Sequence, residues 1–429
     1  MTRAAIKVDH LARVEGHGNI HVVIDGGRVQ TVEMNVVEPA RLFESMVRNR
    51  SFIEVSYIAS RICGICSASH VVADLSAIER IFGVQVSDRT SALRELLVYG
   101  SYLQNHATHL FMLAAPDFLK RDSIFPLAEA EPRLFEQALG LKALGNELCS
   151  KVGGRSIHPI TAVVGGFTHE ISRDEYLRLA EKLEAALPFA LEAVDLFNGF
   201  RVPDIETAGD FLAMCSTGEY AVQGSRMARF VHAGDSFDVD DVDAHIEEYA
   251  VDHSAALFAR AKKSGSTYMT ASLARINASW DHLCKTAKVA AAKAGLRPPE
   301  LNPLRNNVAQ AVELVDALER CAVLCRRLAA DEFEGSSSPV AFTLCSGRGV
   351  GFTEAPRGAL FHELELDGEG RVLHASIITP TAQNVANLEA DMRVLAESML
   401  EIGAGADEIR AEIEKLVRAY DPCFSCSVH

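Results

Sequence analysis

The sequence predicts an α-rich fold of the α+β class, with a bundle of long helices as its core and small β hairpins near both chain ends. Three observations support this prediction. Helical spacing of apolar residues dominates the middle of the chain, strand-like alternation is concentrated in two segments, and the 48% apolar and 23% charged residues are typical of a globular protein. No repeat or low-complexity tract divides the sequence, so we expect a single domain over residues 1–429.

Two β hairpins are predicted. Residues 20–37 alternate around the turn Asp25-Gly26-Gly27. The segment LFHELELDGEGRVLHASII, residues 360–378, turns at Asp367-Gly368.

The first predicted long helix covers Ser91 to Ala115, where leucines and alanines form one wide face. Ser172 and Glu175 form a capping box that opens the next helix, which we expect to run toward Pro188. Helical patterns also cover residues 242–258, 269–295, 306–330, 385–402 and 406–419.

The formal net charge of −16 argues against nucleic acid or an anionic membrane as a partner, because both are bound through an excess of Lys and Arg. No apolar run reaches the roughly 18 residues that a membrane span needs. The N-terminus has no signal-peptide core. We therefore expect no membrane span and a cytoplasmic protein.

Two Cys-x-x-Cys pairs stand near opposite ends of the chain, at Cys63–Cys66 and Cys423–Cys426. Each such turn aims two sulfurs at one point, and thiolates favour soft or borderline metals. A shared metal site would require the whole fold to bring the two pairs together. The other six cysteines show no common ligand spacing and are expected to be core thiols: Cys149, Cys215, Cys284, Cys321, Cys325 and Cys345.

Three kinds of site fit two Cys-x-x-Cys pairs: a structural zinc site, a redox dithiol and a catalytic metal centre. Zinc ribbons usually bring their pairs together over about 15–20 residues, whereas most of this chain separates these two. Arg61, His70, Asp421 and His429 flank the pairs, and such polar groups can orient sulfurs and pass protons. These neighbours favour the catalytic centre and leave the other two kinds open.

RICGICSASH at residues 61–70 and DPCFSCSVH at residues 421–429 resemble the two signature motifs of the large subunit of nickel-iron hydrogenases. RVEGHG at 13–18, EAPRG at 354–358 and ITPTAQN at 378–384 also match, in the family's order. The resemblance therefore covers essentially the whole chain. It implies an oxidoreductase that reversibly cleaves dihydrogen to protons and electrons, and it implies that the end at His429 is that of a mature, processed subunit.

By this resemblance, Cys63 and Cys423 would be terminal nickel ligands. Cys66 and Cys426 would bridge nickel to an iron that carries carbon monoxide and cyanide. The Cys423 thiolate would be the first proton acceptor, and Glu15 would be the carboxylate that relays the proton.

The resemblance also assigns groups around the iron. Arg357 would lie over the iron and donate a hydrogen bond to one cyanide, a task that suits a permanently charged guanidinium. The Thr381 hydroxyl, in a turn fixed by Pro380, would serve the other cyanide. His70 would help to orient the cofactor and its sulfurs.

One triplet departs from the pattern of many membrane-associated hydrogenases. They have His-Asp-His where this chain has Gln104-Asn105-His106. Because Asn carries no charge, Asp421 remains as the acid expected beside Arg357.

A magnesium ion is also implied, with Glu44, the backbone carbonyl of Ile377 and His429 as ligands. Magnesium prefers oxygen ligands, so water is expected to complete its octahedron.

The compact length and Asn105 make the chain similar to the cytoplasmic, cofactor-coupled branch, which includes methyl-viologen-reducing and sulfhydrogenase-like enzymes. No Gly-rich phosphate loop and no cysteine set for an iron-sulfur chain are present in the sequence. Electrons must therefore leave first through an iron-sulfur small subunit of the hydrogenase, and then through further acceptor subunits of the flavin or heterodisulfide-reductase type. An alternative relative is the quinone-pocket subunit of respiratory complex I, which typically lacks these cysteines.

Overall fold

A computed structural model describes residues 4–429. Its α-helices, in chain order, are α1 Phe43–Val47, α2 Phe52–Ala59, α3 Ser67–Phe82, α4 Asp88–Ala107, α5 Ala115–Phe118, α6 Leu127–Ala130, α7 Pro132–Gly153, α8 Arg173–Asn198, α9 Val242–His245, α10 Ser272–Ser279, α11 Lys285–Lys293, α12 Asn306–Ala329, α13 Pro380–Glu401 and α14 Ala406–Ala419. A π-helical segment, Thr108–Ala114, joins α4 to α5.

The strands are shorter and form several small sheets. They are β1 Ala4–Val8, β2 Gly18–Asp25, β3 Arg28–Val36, β4 Ala162–Val163, β5 Gly166–Phe167, β6 Asp210–Cys215, β7 Met227–Phe230, β8 Asp235–Asp238, β9 Ile246–Tyr249, β10 Phe258–Ala261, β11 Tyr268–Met269, β12 Gly347–Ala355, β13 Gly358–Leu366 and β14 Val372–Ile378. The larger sheets have the strand orders β1-β2-β3, β11-β6-β7-β8 and β12-β13-β14.

The predicted fold class is confirmed. Long helices α4, α7, α8 and α12 pack together, and α12 is buried along most of its length. The antiparallel sheets β1-β2-β3 and β12-β13-β14 come from the two ends of the chain. In the described part of the chain, no helix combines the length and hydropathy needed to cross a bilayer.

Both predicted hairpins are confirmed. The first turns at Gly26 and Gly27, whose φ angles of 58° and 76° favour residues without a Cβ. The second joins β13 to β14, and its register pairs Phe361 with Ile378.

The helix predicted over residues 242–258 is wrong. Only α9 is helical there, and β9 follows at once and pairs with β10. The sheet containing β6, β7, β8 and β11 was also not predicted. Its strands have two to six residues, too few for periodicity to distinguish them from buried helix or loop.

The other predicted helices differ in their boundaries. The helix expected over 269–295 is two helices, α10 and α11, separated by the 3-10 turn Trp280–His282. Helix α8 begins at the predicted capping box and continues through Pro188 to Asn198. The helices expected at 306–330, 385–402 and 406–419 are confirmed as α12, α13 and α14.

The six remaining cysteines were expected in the core. Three are buried, Cys215 and Cys284 are half-buried, and Cys345 is exposed, so the prediction is wrong for Cys345.

Helix α3 lies unusually close to β12. A Cβ built at Gly351 would be 1.8 Å from the carbonyl oxygen of Ala73, and one at Gly349 would be 2.4 Å from that of Ala77. Only glycine permits this approach. It fixes α3, and with it the Cys63–Cys66 turn at its N-terminus, against the C-terminal sheet.

Candidate metal centre

The two Cys-x-x-Cys pairs meet in the interior. The Sγ atoms of Cys63 and Cys423 are 3.9 Å apart, and those of Cys66 and Cys426 are 4.0 Å apart. The sulfurs of Cys63, Cys66 and Cys426 all lie within 4.8 Å of one another. All four side chains are buried, so this arrangement can enclose a metal centre away from bulk water.

The first pair occupies a short turn between the 3-10 helix Ser60–Ile62 and α3. The backbone N–H of Cys66 points at the Cys63 sulfur, with an N to Sγ distance of 3.2 Å. Ser67 Oγ donates to the Gly64 carbonyl at 2.8 Å and accepts from the His158 N–H at 2.8 Å.

The second pair lies at the start of the 3-10 helix Phe424–Val428, with Cys423 just before the helix and Cys426 within it, and is held by distant segments. The N–H of Cys423 donates to Thr381 Oγ1 at 3.1 Å, and Thr379 Oγ1 donates to the Cys426 carbonyl at 3.0 Å. Both threonines stand at the N-terminus of α13, where Pro380 occupies the first turn.

Burial and mutual contact control the charge on the sulfurs. The thiols of Cys423, Cys426 and Cys66 donate to the Cys63 sulfur, and this lowers the pKa of Cys63 well below its usual range. Burial raises the pKa of Cys66, Cys423 and Cys426. Four thiolates at this spacing therefore require bound cations to balance their charge.

Glu15 reaches the second pair from the N-terminal loop. Its Oε2 lies 2.9 Å from the Cys423 Sγ, and its Oε1 accepts from Ser425 Oγ at 2.5 Å. The backbone N–H of Phe424 donates to the Glu15 carbonyl at 3.0 Å. A proton on the Cys423 sulfur thus has a carboxylate within direct reach.

Arg357 is buried beside Asp421. Its Nε donates to the Asp421 carbonyl at 2.8 Å and to Oδ1 at 3.1 Å. Burial opposes the charge on Arg357, but Asp421 and the sulfurs of Cys423 and Cys63 raise its pKa well above the usual range. Its Nη1 has no hydrogen-bond partner within residues 4–429, and such a buried donor fits a bound anion.

Two amides beside Asp421 complete this arrangement. Asn105 Nδ2 donates to Asp421 Oδ2 at 2.6 Å, and Gln310 Nε2 donates to the same oxygen at 3.0 Å. Gln310 was not predicted, because nothing in its local sequence distinguishes it from other residues of α12.

His70 takes part in a buried chain that the sequence reasoning missed. Its Nδ1 lies 2.9 Å from His362 Nε2, and His362 Nδ1 lies 2.8 Å from Asp74 Oδ1. Burial lowers the pKa of His70. The one available signal was that His70 and Asp74 share a face of α3 at a spacing of four residues.

Glu44, Ile377 and His429 also converge. Glu44 Oε1 accepts from the Ile377 N–H at 2.8 Å, and His429 Nε2 contacts the Ile377 carbonyl. Glu44 Oε1 and His429 Nε2 are 4.0 Å apart. A carboxylate, a carbonyl and an imidazole therefore face one small region beside Cys426, whose carbonyl lies 3.0 Å from His429 Nδ1.

The fold and the four buried sulfurs define a metalloprotein whose centre joins both ends of the chain. The model of the family described as nickel-dependent hydrogenase matches residues 41–138 and 326–429. The alpha chain of sulfhydrogenase 1 from Pyrococcus furiosus is 34% identical over 99% of this chain and 97% of its own length. One subunit of the F420-non-reducing hydrogenase from Methanothermobacter thermautotrophicus is 30% identical over 99% of this chain and 94% of its own length.

A solved structure of an NAD+-reducing [NiFe]-hydrogenase in the H2-reduced state superposes with a TM-score of 0.87. The two chains are 28% identical, and the match covers 99% of each. The chain belongs to the nickel-dependent hydrogenase family and is a large subunit. It is therefore an oxidoreductase acting on dihydrogen at a cysteine-bound nickel-iron centre, and the zinc-protein and complex-I-like alternatives are set aside.

Proposed function

We propose that Cys63 and Cys423 are terminal nickel ligands and that Cys66 and Cys426 bridge nickel to iron. The convergence of the four sulfurs, at 3.9 and 4.0 Å across the pairs, carries this assignment. The donor set fits, because soft thiolates suit both metals and the sulfurs of Cys63, Cys66 and Cys426 lie within 4.8 Å of one another. When bound, the centre supplies the binding and heterolytic cleavage of dihydrogen.

Cys423 and Glu15 are the residues that move the first proton. The Cys423 sulfur accepts it and passes it to Glu15 Oε2, 2.9 Å away. Ser425 orients the carboxylate through its contact with Oε1. The half-buried position of Glu15 connects the enclosed sulfurs to the outer part of the N-terminal loop.

Carbon monoxide and cyanide are proposed as the iron's other ligands, with Arg357 and Thr381 as the groups that hold the cyanides. Arg357 Nη1 offers a buried cationic donor without another partner in the described chain. Thr381 Oγ1 accepts from the Cys423 N–H, which leaves its own O–H to donate to an anion. Both contacts favour small anions over water at the centre.

Magnesium is proposed at Glu44, the Ile377 carbonyl and His429. The two oxygen donors and the imidazole already face one region. Magnesium there would attach the C-terminal residue to α1 and β14, with water filling the remaining positions.

The iron-sulfur small subunit is proposed to dock beside α2, which leads through Ser60–Ile62 into the Cys63 turn. An apolar surface is exposed there, formed by Leu42, Met46, Ile53, Tyr57, Phe342, Leu344 and Leu373. It adjoins a groove of about 250 Å³ lined by Ile53, Tyr57 and Phe342. A patch of this kind suits a stable subunit interface, and the helix that carries part of it leads directly into the turn that holds Cys63.

Beyond the small subunit we propose further acceptor subunits of the flavin or heterodisulfide-reductase type, in a cytoplasmic complex. The likeness to multi-subunit relatives supports this arrangement. We also propose that residues 1–429 form a single domain, because the first strands, the helical core and the last turn all contribute to one centre.

Metal analysis and infrared spectroscopy of the purified complex test the proposed centre. We expect nickel and iron near one each per large subunit, with infrared bands of carbonyl and cyanide ligands. An active complex without nickel, or with zinc as its only metal, would refute it.

The docking surface has its own test. Ile53→Asp should prevent co-purification of the small subunit, because it places a charge in the apolar patch. The matched control is Ile402→Asp, at an exposed position after α13. Equal retention of the small subunit by both variants would place the interface elsewhere.

A further inference from the structure

We infer that Asn105 and Gln310 position Arg357 indirectly. Both donate to Asp421, and Asp421 in turn holds the Arg357 guanidinium. The inference rests on the function proposed above, in which Arg357 holds a ligand of the iron. It concerns how this chain keeps the guanidinium in place without the acidic residue of a His-Asp-His triplet.

Every acceptor of Asp421 has a defined partner. Its backbone carbonyl and Oδ1 face Arg357 Nε at 2.8 and 3.1 Å. Its Oδ2 accepts from Asn105 at 2.6 Å and from Gln310 at 3.0 Å. All four residues are buried, so water does not replace a lost contact and the carboxylate has one orientation.

The Asn105 amide is itself fixed in direction. Its Nδ2 lies 3.3 Å from His106 Nδ1 as well as 2.6 Å from Asp421 Oδ2. His106 Nε2 lies 2.9 Å from Glu313 Oε2, so the neutral ring donates to Glu313 and accepts from Asn105. Asn105 Oδ1 finds no partner in the part of the chain described here, which means that the two N–H contacts determine how the amide is oriented.

The Gln310 amide is fixed from its other end. His109 Nδ1 contacts Gln310 Oε1, and His109 Nε2 lies 2.6 Å from the Arg418 carbonyl. With Oε1 facing His109, the amide nitrogen of Gln310 faces Asp421 Oδ2 at 3.0 Å.

A neutral amide at position 105 differs from an acid because it can donate a hydrogen bond to Asp421. An ionised aspartate there has no N–H to donate, so the 2.6 Å contact with Asp421 Oδ2 would be lost or would need a shared proton. The amide keeps the shape and supplies a donor. Arg357 then has a single carboxylate partner through Nε, and its Nη1 stays free for the metal centre.

The test compares Asn105→Leu with Gln104→Leu in the complete enzyme. Gln104 is the preceding buried amide on α4, and it donates to the Ser156 carbonyl at 2.8 Å, away from Asp421. With nickel and iron retained, we expect Asn105→Leu to lower dihydrogen-dependent dye reduction by about tenfold or more and to displace the cyanide infrared bands. Gln104→Leu should change turnover by less than about twofold and leave the bands in place.

A double variant distinguishes positioning from general damage. In an Arg357→Lys background, Asn105→Leu should add less than about a twofold loss, because its effect passes through Arg357. Gln310→Met keeps the side-chain length and covers the case in which Asn105→Leu does not fold; we expect the same band displacement from it.

Additive losses in the double variant, or cyanide bands that stay in place in both Asn105→Leu and Gln310→Met, would overturn the inference. Wild-type enzyme without carbonyl and cyanide bands would instead refute the proposed centre.

Discussion

The two cysteine pairs are held in different ways. The Cys63–Cys66 turn has two local contacts, since Cys66 N–H points at the Cys63 sulfur and Ser67 donates to the Gly64 carbonyl, and one distant contact, from the His158 N–H to Ser67 Oγ. The Cys423–Cys426 turn depends on residues far away in the chain. Thr381 accepts from its first N–H, and Arg41 donates to the Ser425 carbonyl inside it.

This difference indicates which half of the centre depends on the complete fold. The first turn can take its shape once α3 forms and packs on β12. The second takes its shape only when the N-terminal loop, α13 and the C-terminal residues are all in place. Changes at distant positions should therefore affect the second pair more than the first.

The largest effect is expected from removing a sulfur of the second pair. Cys423→Ser should abolish dihydrogen-dependent dye reduction, because a hydroxyl is a poor ligand for these metals and Glu15 loses its proton donor. Dye reduction with dihydrogen and nickel content are the measurements. Cys345→Ser, at an exposed thiol outside the centre, is the control, and wild-type turnover in Cys423→Ser would contradict the ligand assignment.

Glu15→Gln should lower turnover and proton exchange by about 10²- to 10⁴-fold while nickel and iron remain bound, because Gln keeps the shape but does not carry the proton. Isotope exchange between dihydrogen and heavy water measures this step. The matched control is Glu33→Gln. Glu33 lies on β3 and its carboxylate contacts His21, so this variant should keep wild-type exchange. Unchanged exchange in Glu15→Gln would remove Glu15 from the relay.

The support of the second pair should depend on pH through Asp391. Burial raises the pKa of Asp391 to about 6, although Tyr420, just before the DPC motif, donates to it at 2.6 Å. The folded state thus binds the proton more tightly than the unfolded state. The protonated Asp391 therefore adds on the order of 2–3 kcal/mol to the free energy of unfolding. This contribution is fully present below about pH 4 and is lost as pH rises through about 6.

Thermal unfolding between pH 4 and 7 measures this effect. Asp391→Asn stays neutral, so its transition temperature should depend less on pH than that of the wild type. Parallel profiles for the two proteins would show that Asp391 does not titrate in this range.

The smallest effect tests the two turns directly. Thr381→Val leaves the buried N–H of Cys423 unpaired and should cost about 1–3 kcal/mol. Ser67→Ala, in the first turn, should cost about 1 kcal/mol, because the His158 N–H that it leaves without Ser67 Oγ is only half-buried and can bond water. Denaturant unfolding of the two variants compares them, and an equal or larger loss in Ser67→Ala would reverse the proposed difference between the turns.

The sequence predicts those parts of this centre that sit in recognisable motifs. Glu15 and the four cysteines stand in such motifs, and the fold brings them together. Gln310 and His362 could not be predicted, because each belongs to a long element and reaches the centre only through the packing of that element. The strands between residues 210 and 261 were missed for a related reason, since their burial depends on neighbouring sheets rather than on their own pattern.

Gly16 and Gly18 pack directly against Phe424. A Cβ at Gly18 would lie 2.8 Å from that ring, and one at Gly16 would lie 2.9 Å from the Ser425 nitrogen. The absence of a Cβ at these two glycines thus allows Phe424 and Ser425 to pack close to the N-terminal loop. Two positions without any functional group therefore limit the distance between the Cys423 sulfur and the Glu15 carboxylate, 2.9 Å in the structure, which the proposed proton transfer would cross.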